Sequence, residues 1–269
     1  MTHDADAEFR DDLAPAARPE SPWAVEKSLP LRLVAEAVGT AFLITVGVGA
    51  VIMAPPAESG MSVMPALAWG GALFVLMSLL LRVSGAHLNP AVTVGLWAAG
   101  RFPGRDVAPY VLAHVTGSAL ASMCLTTLLG MRPGALSGRA GMSVLANGWG
   151  AHSPWQVSVW TALVAEAVAV AAFVTVMVRM ASCPGNDTVT PAPASLTGAA
   201  GPVAVTFALL VTLTAPLTNG ALSPARATAI ALASNTWALG QLWAWWLAPA
   251  VGALVAGLTY RAFGPTDEA

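Results

Sequence analysis

The chain has 269 residues, of which 56% are hydrophobic and only 10% charged, and its formal net charge is −2. A soluble surface draws on roughly 25% charged residues, so this composition belongs in a bilayer and leaves no basis for a nucleic-acid or polyanionic partner. The two cysteines, Cys124 and Cys183, supply neither a disulfide framework nor a metal site.

Residues 1–30 stand apart. Asp4, Asp6, Glu8, Asp11 and Asp12 lie among Arg, Pro and Ala with no apolar run, so the stretch is not a signal peptide. It reads as a disordered tail, with a regulatory or partner-binding tail as the alternative. Six segments then follow that are long and apolar enough to cross a bilayer, which takes roughly 20 residues each. They lie at 33–54, 63–81, 108–130, 156–178, 202–217 with its flank, and 238–260, the fifth being the shortest.

Two further apolar stretches, 89–99 and 223–233, are about half that length. Each opens on an uncharged polar residue followed by Pro-Ala: Asn89-Pro90-Ala91 and Ser223-Pro224-Ala225. A polar side chain directly before proline marks a capped helix N-terminus. Non-helical backbone at membrane depth survives only where it lines a cavity. The pattern therefore predicts two half-helices dipping in from opposite faces, with a solute path between them.

Basic residues orient the spans. Lys27 and Arg32 precede the first, Arg82, Arg101 and Arg105 lie between the second and third, Arg179 follows the fourth and Arg261 the sixth. With alternating spans all fall on one side, which predicts cytoplasmic N- and C-termini. Arg132 and Arg139, before the fourth span, are exceptions.

The chain also repeats itself. Ala35-Glu36-Ala37-Val38 returns as Ala165-Glu166-Ala167-Val168, Asn89 corresponds to Ser223, and Leu112-Ala113 with Gly117 returns as Leu247-Ala248 with Gly252. The order is preserved and the spacing nearly constant. Each half, about 31–131 and 156–263, holds an odd number of spans, so the second copy is inverted relative to the first.

Over about residues 30–263 the chain resembles the aquaporin (major intrinsic protein) family. The resemblance rests on Ala35-Glu36-x-x-Gly39-Thr40, the Asn89-Pro90-Ala91 box, Gly95-Leu96-Trp97-Ala98-x-Gly100-Arg101-Phe102-Pro103 and Pro224-Ala225-Arg226. The run Trp237-Ala238-Leu239-x-Gln241-Leu242-Trp243 looks like the bacterial water-channel branch. The resemblance implies an all-α membrane fold with six transmembrane helices and two re-entrant half-helices. It further implies a channel domain over 31–263, a homotetramer with one pore per subunit in the cell membrane, and no cofactor.

It also implies roles for individual residues. Asn89 and Ser223 stand at the two boxes, and Ser223 replaces the asparagine usual in the family. A hydroxyl is smaller and offers one rotatable donor instead of two, so either the constriction widens or Ser223 acts simply as an N-cap. Arg226 matches the arginine of the family's selectivity filter, and a guanidinium inside a membrane segment is functional by default. By spacing from the boxes, Trp69, Val211 and Gly220 complete that filter. Val211 stands where water-selective members usually carry histidine, so the set resembles glycerol facilitators and nodulin-like relatives. Ala227 points the other way, because glycerol facilitators commonly carry aspartate there. An alternative is that Trp69 is only a core aromatic.

Glu36, Glu166 and His87 match family residues that brace the loops before the half-helices. An acid pair or proton relay is the competing reading of the two glutamates. His114, where relatives usually have glutamine, is expected to hydrogen-bond between spans, with pH sensing as the alternative. Gly117-x-x-x-Ala121 and Gly252-x-x-x-Ala256 are expected to pack closely at the contact between the repeats. Trp155, Trp160, Trp237, Trp243, Trp245 and Trp246 read as interfacial belts. No hydrolase, redox or nucleotide motif appears. A coupled transporter would need ionisable groups at the half-helix starts, where this chain has Asn and Ser. The sequence thus predicts a passive channel for water and small uncharged solutes such as glycerol, excluding ions. The alternatives are a strictly water-selective aquaporin or a channel for urea or undissociated metalloid acids.

Overall fold

A computed structural model describes residues 27–53, 63–131, 138–181 and 193–264. The segment expected to be a disordered tail lies outside them up to residue 26. The described residues form helices α1 (Leu29–Met53), α2 (Met64–Ser84), α3 (Pro90–Ala98), α4 (Gly104–Gly130), α5 (Gly138–Val144), α6 (Val159–Ala181), α7 (Pro193–Thr218), α8 (Pro224–Ser234) and α9 (Trp237–Phe263), with a 3₁₀ turn at Gly150–His152. Six of them, α1, α2, α4, α6, α7 and α9, are long and apolar enough to cross a membrane. The fifth span, expected to be the shortest at 202–217, belongs to a helix of 26 residues. Pro202 lies inside that helix, and the apolar window used to find spans stops short of its polar first turns.

Apolar side chains cover the outside as well as the core. Val34 and Val38, Val75 and Leu79, Leu112 and Leu120, Val164 and Val168, Val205, Leu209 and Leu213, and Val251 and Val255 are exposed. They recur at helical spacing and give each long helix an apolar outer stripe. The interior holds Glu36, His114, Glu166, Asn89, Ser223 and Arg226, all buried. An apolar exterior, with the buried polar groups gathered inside an otherwise apolar core, suits a hydrocarbon solvent. The chain is an integral, multi-pass, all-helical membrane protein.

Packing follows the repeat. α1 packs on α4 as α6 packs on α9, α1 on α2 as α6 on α7, and α2 meets α7 at the centre. Each half-helix crosses to the other half, α3 packing on α9 and α8 on α4. The two small-residue pairs, expected between the repeats, lie within them instead. A Cβ on Gly117 would overlap the Ala37 carbonyl of α1, and one on Gly252 the Ala167 carbonyl of α6. The closest backbone approach is needed there because the sheath helix of each half lies directly against its Glu-bearing helix. The Trp residues also divide. Trp155, Trp160 and Trp243 are exposed as an interfacial belt requires, whereas Trp245 is fully buried.

Candidate functional site

Two loops of nearly the same shape lead into the half-helices. In the first, Gly85, Ala86 and Leu88 adopt positive φ of 90°, 48° and 53°; in the second, Asn219, Gly220 and Leu222 adopt 60°, 61° and 49°. Left-handed backbone on non-glycine residues costs roughly 1–3 kcal/mol each unless surrounding contacts enforce it. A buried glutamate does so in each half. Glu36 accepts the His87 amide (3.0 Å) and the Ser84 hydroxyl (2.7 Å) on Oε1, and the Leu88 amide (2.6 Å) on Oε2. Glu166 accepts the Ala221 amide (2.9 Å) and the Thr218 hydroxyl on Oε1, and the Leu222 amide (2.7 Å) on Oε2. A carboxylate suits this task because both oxygens are acceptors only, so every loop donor finds a partner. These bonds engage both carboxylates with backbone, which speaks against a free acid pair.

The first loop has additional support. His114 on α4 shares a hydrogen bond with Glu36 Oε2 at 2.8 Å, linking α4 to α1. The His87 ring meets Thr93 Oγ1 at 2.9 Å, and the Tyr110 hydroxyl donates to the Ser84 carbonyl at 2.7 Å. Arg32 and Asp106 pair at 2.8 Å. The position of α9 corresponding to His114 is Pro249, so Glu166 has no such partner and the halves differ at this point.

The loops deliver the two N-termini to each other. Asn89 Oδ1 caps α3 by accepting the Ala91 amide at 2.9 Å, while its Nδ2 donates across the repeat to the Leu222 carbonyl at 2.9 Å. Ser223 Oγ caps α8 by accepting the Arg226 amide at 3.4 Å. Asn89 thus commits one of its two amide hydrogens and keeps the second. Each helix start carries roughly half a positive charge from its free amides.

Arg226 lies in the first turn of α8 and is buried. Its Nη1 donates to Asn147 Oδ1 at 2.6 Å, and its guanidinium carbon lies 5.7 Å from the centre of the Trp69 ring. Its Nε has no hydrogen-bond partner among the described residues. Asn147 is itself anchored twice, donating to the Thr218 carbonyl at 2.8 Å and accepting from the Trp245 indole at 3.1 Å. The buried Trp245 therefore holds the loop residue that orients Arg226. Neither Asn147 nor this role of Trp245 was legible from the sequence, because the contacts span 79 and 98 residues.

These groups enclose a cavity of about 10 Å³, room for the centre of about one water. Asn89, Ser223, Arg226 and His87 supply its polar lining, and Leu43, Ile44, Trp69, Leu73, Leu88, Phe173 and Phe207 the apolar remainder. The structure brings Trp69, Arg226 and both box residues together on this space. Val211 and Gly220 do not line it. Phe207, one turn before Val211 and so on the same face of α7, does; that i, i+4 relation was available in the sequence. A cavity lined by both polar and apolar groups can hydrogen-bond a solute while giving it few places to bind tightly.

Comparison with known proteins places this architecture. The major intrinsic protein family model matches residues 25–260. Aquaporin Z of Photorhabdus laumondii is 37% identical over 234 residues, covering 86% of this chain and 96% of that protein. Aquaporin Z of Rhodopseudomonas palustris is 37% identical over 243 residues, covering 87% and 93%. The X-ray structure of the aquaglyceroporin from Plasmodium falciparum superposes with a TM-score of 0.68 at 19% identity, over 88% of this chain and 97% of that one, a likeness of fold. The capped half-helices, their glutamate-braced loops and the enclosed amphipathic passage thus have a family, and this chain belongs to it: the major intrinsic proteins, which are passive channels and not enzymes.

Proposed function

We propose that the chain conducts water in single file through the cavity between Asn89, Ser223 and Arg226, admits small uncharged solutes such as glycerol more slowly, and excludes ions. The observation that carries this reading is the composition of the cavity wall, which combines polar donors with aromatic and aliphatic carbon. A polyol offers both hydroxyls and carbon, and it matches such a wall. Water needs only the polar groups. The names of the similar proteins, Aquaporin Z and an aquaglyceroporin, bracket the same range.

Ion exclusion follows from charge. Two helix N-termini meet at the boxes, and the buried guanidinium of Arg226 adds a full positive charge beside them. A cation entering this space would lose its hydration shell and meet the positive helix ends and the guanidinium. Asn89 Nδ2 and Arg226 Nε supply hydrogen bonds to a passing oxygen. Glu36, Glu166 and His87 act as braces that hold the left-handed loops. Both termini lie in the cytoplasm in this proposal, and the working assembly is a homotetramer with one pore per subunit, since a single chain bounds the cavity.

A second reading, strict water selectivity, is favoured by the cavity's size, about 10 Å³. Stopped-flow light scattering on proteoliposomes separates the two. Under a sucrose gradient, shrinkage should be faster than in empty vesicles. Under a glycerol gradient, accelerated reswelling should follow. Fast shrinkage without accelerated reswelling would reduce the function to water alone, and shrinkage no faster than in empty vesicles would contradict the channel itself.

A further inference from the structure

The filter expected from the sequence is open on one side, because Val211 is of moderate size and Gly220 has no side chain. Phe207 occupies the wall of the cavity beside them. Its side chain is buried, its ring centroid lies 5.8 Å from that of Trp69 at an interplanar angle of 74°, and 5.0 Å from that of Phe173 at 43°. Edge-to-face contacts of this kind favour a fixed mutual orientation over a sliding one. All three rings border the cavity together with Asn89, Ser223 and Arg226.

The stack is also pinned from behind. The Trp69 indole lies directly over Gly47 of α1, where a Cβ would overlap the Cδ2, Cε2 and Cε3 atoms. At Gly70, next to Trp69, a Cβ would come within 2.9 Å of the Ala204 carbonyl oxygen and of Ala208 Cβ on α7. The two helices therefore approach as closely as their backbones allow, with Phe207 between these contacts in sequence. The Trp69 indole therefore has no room to retreat further toward α1.

We propose that Phe207 is a specificity-determining residue of this channel: its ring, packed on Trp69 and Phe173, sets the ratio of glycerol to water flux. Gly47 sets the complementary limit, because its missing side chain lets the indole stand back from the cavity. This deepens the assignment of the cavity as the conducting path and rests on it. Removing the Phe207 ring opens the apolar lining of the passage and leaves its polar donors in place. A side chain at Gly47 pushes Trp69 into the passage.

The test compares the wild-type protein with Phe207→Ala, Phe207→Leu and Gly47→Ala, each reconstituted in proteoliposomes at matched protein content. Water permeability is read under sucrose and glycerol permeability from reswelling. Phe207→Ala should raise the glycerol-to-water ratio about tenfold or more, the scale on which a pocket discriminates by bulk alone. Phe207→Leu, which keeps the core filled and guards against a folding defect, should raise it by less. Gly47→Ala should lower it. An unchanged ratio in both Phe207 variants, with the wild type conducting water, would overturn this proposal and leave the channel assignment standing. A wild type with no water flux above that of empty vesicles would overturn both.

Discussion

Replacing Glu166 with glutamine tests the bracing of the second loop. The substitution keeps shape and removes charge, but one carboxylate oxygen becomes an amide nitrogen that only donates. If that nitrogen takes the place of Oε1, the Ala221 amide loses its acceptor, while the Thr218 hydroxyl can turn to the Thr214 carbonyl at 3.1 Å. If it takes the place of Oε2, the Leu222 amide loses its acceptor instead. A buried donor left unpaired costs about 1–3 kcal/mol. Each 1.4 kcal/mol is a factor of ten, so one of these two amides, Ala221 or Leu222, should exchange its hydrogen about 5- to 140-fold faster than in the wild type. The disturbance should reach the pore, because the Leu222 carbonyl accepts from Asn89 Nδ2. Hydrogen exchange read by mass spectrometry on the 218–223 region in nanodiscs measures the effect, with water permeability alongside. Unchanged protection at both Ala221 and Leu222 would refute the claim that the carboxylate holds this loop in its left-handed conformation.

Two further predictions follow from the packing and the filter brace. Asn147→Ala removes the side-chain acceptor of Arg226 Nη1 and should destabilise the protein by about 1.5–3 kcal/mol, the usual worth of a hydrogen bond to a charged group. Asn147→Asp should retain the contact, and equal thermal midpoints in micelles for the Ala variant and the wild type would contradict the role. Gly117→Val must separate α4 from the Ala37 carbonyl and should cost about 1–3 kcal/mol. Gly71→Ala, where a Cβ meets nothing within 4 Å, should leave the midpoint where it is. Equal shifts for the two glycine variants would mean that close helix approach is not what Gly117 provides.

The parts of the fold written locally in the chain were legible. Five of the six spans and both half-helices follow from apolar length and from a polar cap before proline, and the structure differs from the expectation by a few residues at their ends. The start of α7 was hidden because its first turns are polar and Pro202 breaks the apolar window. The small-residue pairs were recognised, but their partners were misplaced: a Gly-x-x-x-Ala pattern announces a close approach without naming the neighbour. Trp245 looked like its exposed neighbour Trp243, since a belt tryptophan and a buried indole differ only in which face of α9 they occupy. Asn147 carried no local signal at all. It sits in a loop and acquires its meaning only when Thr218, Arg226 and Trp245 converge on it. Phe207 differs again, because its register with Val211, one turn away on α7, is readable in the sequence.

The central claim is that solute passes between the two half-helix N-termini inside a single chain. It is tested most directly by Ser223→Cys in a background carrying Cys124→Ser and Cys183→Ser, with osmotic water permeability measured before and after mercuric chloride. Sulfur in place of the Ser223 hydroxyl puts a mercury-reactive group on the cavity wall. The account predicts water flux that mercury blocks and thiol restores, with the cysteine-free background unaffected. Water flux through the Ser223→Cys protein that mercury leaves untouched would contradict it.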